Sequence, residues 1–435
     1  MLLKSIFFLC MSLLFPVMIY GQELLLGQII DQNTGKPIEN ASIYYNQTQI
    51  GTKSTLDGKF SLRRDNRFTD LIISCLGYEK IKITKIPNER LNILMKPINN
   101  TLSEIVVTVK APGWSKWGKL FTKLLMSDNP KDYYTLKYKD KVILNPEVIS
   151  FYFNQKTGIL NASSKEPIMV INDKLGYLIR VDLEKFTYNI TTGLLIYQSS
   201  LFFEQTKSSL TLNQIQKATN EVYYGSATHF LSSLAKNKLS EEGFEIQKVH
   251  EIKNSSKAKA IKHINNLKNT RFKSNGFLMD IELNDIFRNK DSVAYYRSKL
   301  SEPDTFGRIV SEINLSSILR YDENNKRHQL KFQDSLLVTY NIDEKKNLTH
   351  IPFFNKKINT PEKLKVETII YQITNNTIFI YNTGEIENFN LYMLGYMGDK
   401  RLSASLPDDY DPSIPRVKVA YDALEKLRVA RDENP

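Results

Sequence analysis

The residues of this 435-residue chain best suited to chemistry are five histidines, two cysteines and a late acidic run. A zinc site of the His-x-x-Glu kind needs two imidazoles and a carboxylate, leaving one coordination position open. No histidine here begins such a pair. His229, His250, His263, His328 and His350 are followed three residues on by Ser232, Lys253, Asn266, Lys331 and Phe353. Asp408-Asp409-Tyr410-Asp411 offers oxygen ligands for calcium but lacks the glycine and terminal glutamate of a ligand loop, and reads as a solvated acidic turn. His229 falls on a helical stretch, Tyr223 to Leu234, between Thr228 and Phe230. Without a positioned partner it reads as a structural hydrogen-bonding residue rather than a base. Gly-rich phosphate loops, Gly-x-Ser-x-Gly elbows, EF-hand loops and paired-cysteine motifs are absent from the sequence. It therefore nominates no catalytic, cofactor-binding or metal-binding residue, and no cofactor.

The first 21 residues have the form of a signal peptide: Lys4, an apolar run from Ile6 to Tyr20, and the small Gly21 at the cleavage point. Cys10 lies inside that run without the small residue that precedes a lipoprotein cysteine. Export would leave Cys75 alone, with no intramolecular disulfide, in an apolar strand where a buried small hydrophobe is expected. The net charge of +12 reflects 59 Lys and Arg against 47 Asp and Glu. Because export argues against nucleic acid and no basic run reaches five residues, the charge is read as solvation, with lipopolysaccharide phosphate as the alternative.

These residues need elements to position them. Between residues 24 and 96 the pattern is about seven short strands, at the roughly 8–12-residue spacing of a sandwich. Thr34-Gly35-Lys36-Pro37 and Asp57-Gly58 mark turns, the latter expected as a two-residue hairpin with positive φ at both positions. Leu71 to Leu76 is apolar on both faces and is expected to be central. Lys80 to Thr84 alternates, as a half-solvated strand does.

Gly27-Gln28-Ile29-Ile30-Asp31, Leu56-Asp57-Gly58-Lys59-Phe60 and Ser74-Cys75-Leu76-Gly77-Tyr78 together resemble the carboxypeptidase-regulatory-like domain of Bacteroidetes-type envelope proteins. That resemblance implies a transthyretin-like antiparallel β-sandwich over 23–97, which is a non-catalytic appendage. It implies no peptidase, whose histidine motif is missing.

Leu102 to Val109 resembles the segment that joins such a domain to the plug of SusC-type outer-membrane receptors, although the remaining chain is too short for plug and barrel. Here it reads as an edge strand or linker. In the 98–127 connector, Trp114, Trp117, Phe121 and Leu124 share one face of a basic amphipathic helix, expected to pack on a domain rather than lie on a membrane.

Over 128–411 a β-rich α+β domain is expected. Strands are assigned to 148–153, 159–162, 168–171, 175–188, 194–203, 244–252, 332–341, 365–374 and 377–382. An interrupted helix runs through Tyr223 to Leu234 with Gly243 as its stop. Residues 253–330 are weakly periodic and read as short elements or loops. A terminal helix begins near Pro415 in the 412–435 tail.

Asn145-Pro146-Glu147-Val148, Glu166-Pro167-Ile168, Leu175-Gly176-Tyr177, Tyr223 to Ser226 with His229-Phe230, and Gly395-Tyr396, Arg401-Leu402 and Leu406-Pro407 resemble a secreted group that carries regulatory-like domains and has no established activity. The fold class is thus mainly β. The expected role is that of an exported envelope protein binding an envelope protein or a glycan, with peripheral membrane association and oligomeric state left open. The alternatives are a hydrolase with a scattered acidic pair and an accessory of a TonB-linked uptake system.

Overall fold

The computed structural model describes residues 23–98, 113–126, 142–155, 157–190, 193–275, 283–287, 289–303, 305–342, 365–387 and 390–417. The leader, Leu102–Val109, His350 and the terminal helix beyond Val417 lie outside them. The chain forms two compact units, one of Met1–Tyr44 and Ile50–Ile98, the other of Tyr45–Gln49 and Asn99–Pro435.

The first unit carries β1 (Leu24–Asp31), β2 (Ser42–Tyr45), β3 (Gly51–Lys53), β4 (Lys59–Arg63), β5 (Leu71–Ser74), β6 (Ile81–Ile83) and β7 (Leu91–Met95). They make two sheets, ordered β4-β1-β7 and β3-β2-β5-β6. Alternation in β1, β4 and β7 buries Leu25, Ile29, Phe60, Leu62, Leu91, Ile93 and Met95, whereas β5 is buried through Leu71, Ile72 and Ile73, as its two apolar faces require.

The residues of the N-terminal fingerprint have physical reasons to be there. A Cβ on Gly27 would lie 2.4 Å from the Phe60 ring and 2.7 Å from the Leu91 carbonyl. Asp31 Oδ1 accepts the backbone N–H groups of Asn33 and Thr34, and its Oδ2 accepts the Tyr78 hydroxyl at 2.8 Å.

Three expectations need correction. The pairing of β1 with β7 is parallel, so the sandwich is not wholly antiparallel. Only Gly58 of the Asp57-Gly58 turn has positive φ, at 70°, and β3 and β4 belong to different sheets. The turn therefore carries the chain between sheets instead of closing a two-residue ladder. Cys75 sits just past β5, half-buried, and desolvation pushes its thiol up.

The second unit begins, among the described residues after Ile98, with α1 (Trp114–Leu125). Trp117, Phe121, Leu124 and Leu125 are buried against β8 (Ile149–Asn154), β9 (Ile159–Ser164), β10 (Ile168–Asn172), β11 (Tyr177–Asn189) and β12 (Leu195–Gln205). Its apolar stripe is an interior one. Phe121 packs 5.5 Å from Phe151 and 4.8 Å from Phe186, ring centre to centre. Pairs of this kind contribute about 0.5–1.5 kcal/mol beyond the area they bury.

The helical stretch around His229 is two helices, α2 (Leu212–Tyr223) and α3 (Ala227–Ala235). Thr211 and Gln214 cap α2 reciprocally, Ser226 caps α3, and Gly225 breaks the path at φ 73°. Gly243 does not stop a helix. It lies well past Ala235, at φ 83°, and turns the chain into β13 (Phe244–Lys253).

Residues 255 to 301 hold α4 (Ser255–Asn275), α5 (Leu283–Ile286) and α6 (Lys290–Ser301). The 21-residue α4 overturns the expectation of short elements there. Then come β14 (Thr305–Glu312), α7 (Leu315–Ile318), β15 (Leu319–Asp322), β16 (Arg327–Leu330), β17 (Ser335–Asn341), β18 (Lys365–Gln372), β19 (Ile378–Ile380) and β20 (Leu391–Gly395). One sheet is ordered β14-β13-β17-β18-β20 and another β15-β16-β19. Phe230, Leu234, Phe244, Leu330, Val338, Tyr340, Ile370 and Ile378 form the core of this part.

Candidate ligand-binding cleft

Where β13, β14 and β17 meet the β15–β16 hairpin, the second unit opens into a cleft of about 680 Å³. Each wall follows from local sequence. Asn314 Oδ1 accepts the Ser316 N–H at 3.1 Å, capping the single turn α7 and presenting Ser317 to the cleft. Antiparallel pairing sets Arg320 opposite Gln329 on one wall. The Lys331 N–H donates to the Ile318 carbonyl at 2.8 Å, and Phe332 N–H to Gln372 Oε1 at 3.3 Å, which fixes the loop leading to Asp334.

The lining is mostly hydrogen-bonding: Lys248, Arg320 and Lys331 are cations, Glu312 and Asp334 are acids, and Asn314, Gln329 and Thr377 add amide and hydroxyl groups. Its size lies within the range of small-molecule sites, roughly 300–1,000 Å³. Asp334 accepts from Lys248 Nζ at 2.7 Å, with His250 Nδ1 3.8 Å away. The hydrogen bond from Lys248 holds this carboxyl below its ordinary range, against a smaller opposing effect of burial. An acid held ionised in this way is poorly suited to donate a proton. Arg320 and Lys331 make no ion pair among the described residues.

His229 is 2% exposed and lies within a cage of Tyr223, Tyr224, Phe244 and Tyr340. The Gly225 N–H donates to its Nδ1 at 3.0 Å and Glu242 Oε2 lies 3.2 Å from Nε2. The Nε2–H tautomer satisfies both contacts, so the imidazole holds the α2–α3 bend to the strand start at Phe244.

Among the described residues the other histidines do not converge. His263 stacks on Tyr296 at 5.6 Å, and His328 sits 4.8 Å from the Tyr321 ring with its imidazole pushed down by burial. Of the acidic run, Asp408 is pushed up to about 8, first by desolvation and then by Asp409. The Tyr410 hydroxyl donates to Asn220 Oδ1 at 2.7 Å and lies 3.0 Å from the Thr219 hydroxyl, both on α2. Asp411 Oδ1 accepts from Ser413. Among the described residues no group of three or more His, Cys, Asp or Glu is placed to hold a metal ion.

The sequence landmarks of the second unit are fold-determining. Asn145 donates to the Pro167 carbonyl at 2.9 Å and accepts the Met169 N–H at 2.7 Å, joining two of them. Lys248, Arg320, Lys331 and Asp334 were not nominated from sequence. They lie on β13, on β15 and, for Lys331 and Asp334, on the loop between β16 and β17; only Arg320 falls inside the weakly periodic stretch, and only the fold brings them together.

The paired sheets, the tight Gly27 crossing and the Asp31–Tyr78 clasp define a regulatory-like β-sandwich. Residues 25–107 match the CarboxypepD_reg-like domain, and the N-terminal part of the chain is such a domain. A crystal structure of a protein of unknown function from Bacteroides fragilis NCTC 9343 aligns over 86% of this chain and 94% of its own, at 10% identity and a TM-score of 0.14. That score is too low to indicate a shared fold. No curated protein matches the chain. No helix among the described residues is long and apolar enough to cross a membrane.

Proposed function

We propose that this chain is an exported envelope protein that binds an acidic glycan through the cleft of its second unit, with the regulatory-like sandwich as a non-catalytic companion. The observation that carries this reading is the cleft's lining. Hydroxyl-rich ligands need many convergent hydrogen-bonding groups, and Arg320 and Lys331 supply cations free to meet a carboxylate or phosphate. Titration calorimetry with oligogalacturonate and with neutral cello-oligosaccharide tests it. Acidic oligomer should bind and the neutral one should not, and the Arg320→Ala/Lys331→Ala variant should lose binding. Binding of neither, or equal binding by the variant, overturns the assignment. Fractionation of native cells, with external protease applied to intact ones, tests the location: recovery in the cytosol would sink it.

One observation favours a second reading. Glu312 and Asp334 line the same cleft, and paired carboxylates are the machinery of glycoside hydrolysis. Release of reducing ends from the acidic oligomer, abolished by Glu312→Gln, would replace binding with hydrolysis.

A further inference from the structure

We propose that β14 is a two-fold interface through which two copies of this chain join edge to edge. β14 is the outer strand of its five-stranded sheet and pairs with β13 on one side, from Gln247↔Glu312 to Lys253↔Thr305. Among the described residues no strand pairs with its other side. Its apolar side chains lie in solvent: Phe306 is 64% exposed, Ile309 57% and Val310 42%. An open edge with exposed apolar residues is a template for another strand, which is why such edges are commonly blunted by lysine, proline or bulges. The register shift opposite Ile252 and Lys253 places a bulge at Phe306. From Gly307 to Glu312 the strand is regular and carries neither proline nor lysine.

The order of side chains selects a second copy as the occupant. Arg308, Val310 and Glu312 share one face of the strand, since side chains alternate. In an antiparallel pair centred on Val310, each Arg308 stands opposite the other copy's Glu312, and the two ion pairs flank an apolar contact on the axis. Centring on Arg308 or on Glu312 would oppose like charges, which disfavours those registers. Among the described residues neither Arg308 nor Glu312 has an ion pair within its own chain. The opposite edge of the sheet, β20, reads Leu-Tyr-Met-Leu-Gly and has no charge to answer either residue. A closed two-fold contact therefore satisfies both charges, whereas a head-to-tail β14–β20 contact satisfies neither.

The experiment is sedimentation velocity of the full chain across a concentration series, with circular dichroism as a check on folding. The wild type should sediment as a dimer that dissociates on dilution. Arg308→Glu and Glu312→Arg should each weaken dimerisation at least tenfold, and the double reversal R308E/E312R should restore it. Recovery in the double variant cannot come from a chain that has failed to fold. A monomeric wild type, single reversals that remain dimeric, or a double reversal that stays monomeric each overturns the proposal. So does growth beyond the dimer, which would indicate the head-to-tail contact.

Discussion

The backbone N–H of Gly225 donates to Nδ1 of His229 at 3.0 Å, across the bend between α2 and α3. Removing the acceptor leaves a buried donor unmade, which costs roughly 1–3 kcal/mol. His229→Phe should lose about that much in urea denaturation. Gly225→Ala should cost at least about 2 kcal/mol, because φ is 73° and its Cβ would meet Tyr340 at 2.6 Å.

The clasp between Asp31 and Tyr78 predicts stability limits at both ends of the pH scale. Hydrogen bonds from Thr34, then from Tyr78, lower the Asp31 carboxyl, and the bond to Asp31 raises the Tyr78 hydroxyl. A lowered acid adds stability that is present above its unfolded value, about 3.9, and is lost as pH falls through the folded one. A raised tyrosine adds stability present below about 10 and lost as pH rises through its folded value. Melting temperature followed against pH should show both limbs. Asp31→Asn should flatten the acid limb and Tyr78→Phe the alkaline one.

Lys400 should make the second unit more stable in mild alkali. Its ammonium donates to the Val222 carbonyl at 3.2 Å and lies over the Tyr396 ring at 4.5 Å, with no carboxylate partner among the described residues. Desolvation pushes it down to about 7. Between that value and the unfolded one near 10.4 the unfolded chain binds the extra proton, so stability rises with pH in this window. Denaturation at pH 7 and pH 9.5 should show the gain, and Lys400→Met should abolish it while stabilising the protein at pH 7. An unchanged slope in the variant would refute the assignment.

Phe121→Ala in α1 should cost about 3–5 kcal/mol, the range for emptying a large aromatic from a core. Exposed Lys119→Ala on the same helix should change little. Thermal unfolding of the two variants measures the difference.

The first unit was legible because its turns and alternation are local. Gly58, the apolar β5 and the Lys80–Thr84 alternation each report their own conformation. The parallel pairing of β1 with β7 was not legible, since nothing in Leu91–Met95 names its partner. In the second unit β8 to β12 were readable for the same local reason. The 21-residue α4 was missed because its polar residues surround a few buried positions such as Ala260 and Ile264, leaving weak periodicity. The cleft was illegible because its charges are ordinary one at a time and Lys248 comes from a strand more than sixty residues before the rest. For His229 the sequence names no partner, and the fold supplies two, the Gly225 N–H at Nδ1 and Glu242 at Nε2.

The parallel register of β1 with β7 also sets an order of events for a chain made from its N-terminus. Gly27 through Asp31 find Leu91 through Met95 only when the last strand of the unit is available. Contacts so far apart along the chain slow folding. Until then Leu25 and Ile29 have half their sheet missing, and the unit stays open while it is being synthesised. A pause before Leu91 would prolong the period in which this domain can be caught by a chaperone or lost to aggregation.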